Sequence, residues 1–165
     1  MLVKRLGVLT GCVFGLVLMI GAVQAGAAAP TTVLTFYSPP GAQTPIGFNP
    51  NSNTAPPIGA SQVVEVVLEN VGSQFGKPSG TKVGRALLDC TILAVGGQNV
   101  DGVCSGIAHV PNGYFTFGGD GIFQNNHVNL WAVTGGVGPY ANDRGQIDVK
   151  NNSNGSSVAT ITLHS

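Results

Sequence analysis

The 165-residue sequence predicts an all-β domain. Three observations carry that expectation. Short runs rich in Val, Ile, Thr, Phe and Tyr recur, bounded by Gly, Asn, Asp or Pro; turn signals separate them at intervals of roughly ten residues; and no window sustains a helical apolar period. In order, the runs are 33–37 (VLTFY), 62–69 (QVVEVVLE), 86–95 (ALLDCTILAV), 103–110 (VCSGIAHV), 113–117, 127–134 (HVNLWAVT), 146–150 and 158–164 (VATITLH). Pro111-Asn112-Gly113, Gly118-Gly119-Asp120-Gly121 and Asn151-Asn152-Ser153-Asn154-Gly155 read as turns between them. Eight such strands suit a closed meander barrel or a sandwich.

Ahead of the first strand, Lys4 and Arg5 precede an apolar run, Leu6 to Val23, and Ala22, Ala25 and Ala27 to Ala29 follow as a small-residue exit. This is the layout of a cleaved secretory leader. The run is long enough for a membrane anchor, but its four glycines and its exit favour cleavage near Ala25. The chain then divides into a signal peptide (1–25), an N-terminal strand with a Pro- and Asn-rich loop (26–61), and the remainder of the barrel domain (62–165). Within the second part, Pro39, Pro40, Pro45, Pro50, Pro56 and Pro57 make regular structure unfavourable from 38 to 61.

Composition narrows the function classes. Only 8% of residues are charged, Gly numbers 25, and 43% are hydrophobic, too many for a disordered chain. Without the leader, five Lys plus Arg meet seven Asp plus Glu, a net charge of −2. No basic field invites nucleic acid, and no stable membrane anchor is expected after cleavage. The expected location is secreted or extracellular, with a cell wall or apoplast as candidate settings. Cys90 and Cys104 are the cysteines left, an even pair in an oxidising compartment, which makes one disulfide the default. Their midpoint is Gly97, inside a Gly-, Gln- and Asn-rich stretch of hairpin-loop composition, so a symmetrical hairpin sets the thiols opposite each other.

The motifs resemble a known group. Val83-Gly84-Arg85-Ala86 and the stretch from Ala132-Val133-Thr134-Gly135-Gly136-Val137-Gly138-Pro139-Tyr140 to Arg144-Gly145 are similar to signature segments of the dirigent proteins and the allene oxide cyclases. The paired cysteines, with Asn112-Gly113 and the Gly118 to Gly121 stretch, look most like exported bacterial members of that barrel group. The resemblance spans about residues 62 to 163 and implies a single closed eight-stranded antiparallel, calycin-like barrel, often trimeric, whose lumen holds a hydrophobic small molecule of phenolic or oxidised fatty-acid class. Dirigent proteins steer phenoxy-radical coupling without oxidising anything themselves, and the cyclases close an unstable allene epoxide. Departures stand beside the matches. Dirigent first strands usually end in an acidic residue, whereas here Phe36-Tyr37 runs into Ser38-Pro39-Pro40; where the cyclases carry a Glu and an Asn two positions apart, this chain has Glu65 and Val67, and their lumen cysteine falls on Cys90.

Candidate site residues follow from those elements. Glu65 and Asp89 are the catalytic candidates, since a carboxyl buried in an apolar lumen has a raised pKa and shuttles protons. Asp89 alternates with Cys90, on the face of Leu87, Thr91 and Leu93. Tyr140 is expected to plug or rim the barrel, Arg144 to pair with Asp143 or Asp148 or meet a ligand, and Trp131 to belong to the lumen wall. Gly136 to Ala141 satisfies a dinucleotide fingerprint, but Pro139, Asn142, Asp143 and Gly145 deny the helix it requires. His109, His127 and His164 lack metal-ligand spacing, so neither a metal nor another cofactor is expected. The reading is a secreted, non-catalytic barrel that binds and orients a hydrophobic small molecule, as a homo-oligomer. Its alternatives are a cyclase-like isomerase using Glu65 or Asp89, and a structural or adhesion barrel with a filled lumen. An open apolar cavity, with or without an acid, discriminates among the three.

Overall fold

The computed structural model describes residues 30–46, 57–96, 99–122, 124 and 126–165. Residues 1–29, which include the expected leader, 47–56 at the centre of the Pro- and Asn-rich segment, 97–98, 123 and 125 lie outside the described residues. Nine strands follow in order: β1 (Thr31–Ser38), β2 (Gln43–Ile46), β3 (Ser61–Asn70), β4 (Lys82–Gly96), β5 (Asn99–Val110), β6 (Gly113–Ile122), β7 (Val128–Val137), β8 (Arg144–Asn151) and β9 (Ser157–His164). A single turn of 3-10 helix, Gly138–Tyr140, separates β7 from β8, and no α-helix occurs among the described residues.

From β3 to β9 each strand pairs antiparallel with the next, and β1 returns to pair with β9 along its whole length, from Thr31 opposite His164 to Ser38 opposite Ser157. The last residues of β1 also pair with β3, Phe36 with Asn70 and Tyr37 with Glu69, which closes an eight-stranded barrel. Closure removes the unpaired edges that an open sheet would present. A sandwich is thereby excluded.

The ninth strand corrects the expectation of a loop throughout 38–61. After Ser38 the chain makes a tight turn in which the Ala42 N–H donates to the Pro39 carbonyl, and then rejoins the same edge of β3 as β2, with Gln43 opposite Val66 and Ile46 opposite Val63. Pro39 and Pro40 have no N–H to give a ladder, so β1 must break there. The free edge of β3 then recruits the chain again, a long-range preference that local composition does not carry.

Alternation fixes the inner wall. Leu34 and Phe36 of β1, Ile161 and Leu163 of β9, Ile147 of β8, Trp131 and Val133 of β7, and Phe115 and Phe117 of β6 are all buried. Two further boundaries differ from the sequence expectation. Gly118 to Gly121, read as a turn, is the second half of β6, and β7 runs on through Gly135 and Gly136 to Val137. The physical reason at β6 is close packing. A Cβ on Gly119 would lie 2.8 Å from Cδ1 of Trp131, and one on Gly106 of β5 would lie 2.5 Å from Cζ of Phe117. These glycines let the two aromatic rings lie flat on the wall, where they stack with centroids 5.4 Å apart.

Cys90 and Cys104 occupy directly paired positions on β4 and β5 and are joined by a disulfide, with Cα atoms 4.1 Å apart. The pairing is the expected one, but the hairpin is not symmetrical about Gly97: Gly96 pairs with Asn99 near the tip, and a register shift between Ile92 and Ala94 brings Cys90 opposite Cys104.

Candidate ligand-binding cavity

The barrel is not filled. Inside it lies a cavity of about 120 Å3, walled by inward side chains of every strand from β3 to β9 and of β1, with Gln43 of β2. Its wall is apolar over most of its extent: Phe36, Val66, Leu88, Phe117, Trp131 and Val149 are representative. Trp131 keeps its indole N–H satisfied by donating to the Asp120 carbonyl at 2.8 Å, which leaves the ring itself to the cavity.

Polar groups gather at one end. Ser38, Ser157 and Asn151 form a cross-strand row on β1, β9 and β8, since Ser38 pairs with Ser157 and Ser157 with Asn151. Asn129 of β7 also faces the cavity, but its amide is engaged on both sides, accepting from the Ile122 N–H at 2.7 Å and donating to the Ile122 carbonyl at 3.2 Å. The Ser38 hydroxyl is buried and has no hydrogen-bond partner among the described residues.

Among the described residues no ionisable side chain lines the cavity, since Cys90 is tied up in the disulfide. The internal segments outside the described residues, 47–56, 97–98, 123 and 125, contain no Asp, Glu, Lys, Arg or His either. They bring no charge to it, however they lie.

The opposite end of the barrel is stoppered. Tyr140 is buried behind Phe115, edge to face with ring centroids 5.9 Å apart. Gly136 admits it, since a Cβ there would lie 2.5 Å from the Tyr140 carbonyl oxygen, and Gly138 takes φ of +71° to start the turn that delivers it. Burial, and secondarily the charge of Asp143, raises the Tyr140 phenol above its ordinary pKa of 10.0.

The sequence-predicted residues separate into inside and outside. Trp131 lines the cavity and Tyr140 plugs an end without lining it. Arg144 is exposed and donates to the Asp143 carbonyl at 2.8 Å. Glu65 lies on the outer wall in a half-exposed ion pair with Arg85, 3.5 Å apart. Asp89 is exposed on the outer wall and accepts from the Ser61 hydroxyl. Neither carboxylate lines the cavity. Among the described residues no three His, Cys, Asp or Glu side chains come together as a metal site. Sequence reasoning missed Ser38, Ser157, Asn151 and Asn129. The signal for Ser38 was the alternation Leu34, Phe36, Ser38, which a strand ended at Tyr37 cuts one residue short.

No protein-family model and no curated protein sequence matches the chain. Solved structures do share its fold. A pyocyanin demethylase superposes with a TM-score of 0.58 at 19% identity, over 81% of this chain and 99% of that one. A pterocarpan synthase dirigent protein gives 0.58 at 16% identity, over 84% of this chain and 97% of that one. A Diels–Alderase from Streptomyces koyangensis gives 0.58 at 11% identity, over 85% of this chain and 70% of that one. At these identities the likeness establishes the fold: a dirigent-like antiparallel barrel.

Proposed function

We propose that the protein is a secreted dirigent-like barrel that binds and orients one small hydrophobic molecule, guiding its coupling or cyclisation by shape. The carrying observation is the apolar cavity inside the barrel, with no ionisable group on its wall among the described residues. Binding sites of this kind combine apolar walls with a few placed polar groups. Apolar cavities of about 150 Å3 take up benzene, so a cavity of about 120 Å3 suits a single ring. That size favours the phenolic class over an oxidised fatty acid. The isomerase alternative draws no support from Glu65 and Asp89, which stand outside the barrel, and the filled-lumen alternative none from an unfilled barrel.

Export is supported by the leader-like 1–25 segment and by a disulfide of the kind that oxidising compartments maintain. The Cys pair and the Thr134 to Gly145 motif support kinship with exported bacterial members of the dirigent and cyclase barrel group. Assembly of several copies, with a trimer expected from the resemblance, is part of the same proposal.

Native mass spectrometry of the protein recovered from culture medium, with co-purified phenolics and lipids, tests the reading. The expected species starts near residue 26 and carries one small neutral molecule. A chain that arrives empty and takes up nothing from a phenolic and lipid mixture would overturn it.

A further inference from the structure

The geometry points to Ser38 as the polar anchor of the cavity, selecting a neutral molecule with one ring-sized apolar body and a hydroxyl or carbonyl group at one end. This inference rests on the cavity being a ligand site, as proposed above. Ser38 is the last residue of β1, on the inward face set by Leu34 and Phe36, and is 3% exposed. Its hydroxyl has no partner among the described residues. A buried hydroxyl left unpaired is destabilising, and such groups in native proteins call for an explanation. Ser38 lines the cavity, so a ligand atom there can supply the missing bond once the hydroxyl turns toward it.

The neighbouring groups define what that atom is. Across the row from Ser38 stand Ser157 and Asn151, both uncharged, and Asn129 is already committed to Ile122. A carboxylate or ammonium brought to this end would be desolvated without a counter-ion, which is far costlier than burying a hydroxyl with one hydrogen bond. At the apolar part of the same cavity, the stacked rings of Phe117 and Trp131 offer a flat wall to a planar body.

Three probes separate the outcomes: toluene, benzyl alcohol and benzoate, titrated against the wild type, Ser38→Ala and Ser38→Thr. Trp131 is the sole tryptophan and lines the cavity, so its fluorescence reports occupancy. The wild type is expected to bind toluene and benzyl alcohol and to reject benzoate. Ser38→Ala should weaken benzyl alcohol about tenfold, the worth of one hydrogen bond, while toluene changes by less than about twofold. Ser38→Thr keeps a hydroxyl and should restore the alcohol. If Ser38→Ala weakens neither probe, or weakens both equally, Ser38 is not the anchor, although the cavity still binds ligands. Benzoate binding as well as benzyl alcohol would overturn the selection for neutral molecules. A wild type that binds none of the probes would instead remove the ligand-site reading itself.

Discussion

The phenol of Tyr140 ends in apolar surroundings close to a buried carboxylate, Asp143, whose side chain accepts from the Ser165 hydroxyl at 2.8 Å. Burial first, and the Asp143 charge second, favour the protonated phenol and raise its pKa above 10.0. In the unfolded chain the same group titrates at about 10. As pH rises past that point the unfolded state gives up its proton before the folded state does, so stability falls with pH. The contribution is whole below pH 10 and is lost as pH climbs through the folded value. Urea unfolding on either side of pH 10 should therefore show the wild type losing stability that Tyr140→Phe retains. Parallel losses in the two proteins would mean that Tyr140 titrates like a free phenol. At this scale the sequence was informative about position and poor about role. Tyr140 and Trp131 stand in motifs that point inward, and both are buried. Glu65 and Asp89 drew attention as carboxylates on apolar strands, yet both strands are apolar outside as well, so hydropathy could not say which face held the lumen.

Elements were more legible than residues, because alternation and turn chemistry are local. Every one of the eight runs read from the sequence is a strand of the barrel, and Cys90 and Cys104 are bonded as expected, although a register shift between Ile92 and Ala94 breaks the hairpin symmetry that suggested the pair. The misreadings have one physical origin, which is that a partner distant in sequence decided the local state. The free edge of β3 made β2 out of a Pro-rich segment, and the ring of Trp131 needs glycine beneath it in β6. Gly119 therefore serves packing, and replacing it should cost stability although it is no turn. An added Cβ would meet Cδ1 of Trp131 at 2.8 Å and the Leu130 carbonyl at 3.0 Å, and that oxygen belongs to a paired strand that cannot simply move aside. Gly119→Ala is expected to destabilise by about 1–3 kcal/mol, the usual penalty of overpacking. Gly96→Ala, where a Cβ meets nothing within 4 Å, is the control and should stay within about 0.5 kcal/mol of the wild type. Equal urea midpoints for the two variants would show that β6 has room to spare.

For the whole molecule, low charge has a structural counterpart in how the outer wall is divided. On β8 the outward positions are Arg144, Gln146, Asp148 and Lys150, with Thr160, Thr162 and His164 beside them on β9. That side is built for water. On β3 to β5 the outer wall carries Val63, Leu87 and Ile107, which line one shallow groove, and Leu93, Val103 and Leu130 stand exposed on β4, β5 and β7. These side chains point away from the barrel's interior, so only another molecule can bury them. With a net charge of only −2 over residues 26–165, self-repulsion opposes association weakly. The expected partner is a second copy, in keeping with the proposed oligomer. Ile107 sits mid-groove, opposite Leu87 on one side and Thr116 on the other, so a Lys there would place charge in the contact without touching the cavity. Sedimentation velocity should show the wild type as an oligomer and Ile107→Lys as a monomer that still binds toluene. A monomeric wild type at micromolar concentration would end the oligomer proposal. A variant that dissociates and also loses toluene would show that assembly shapes the cavity as well as the surface.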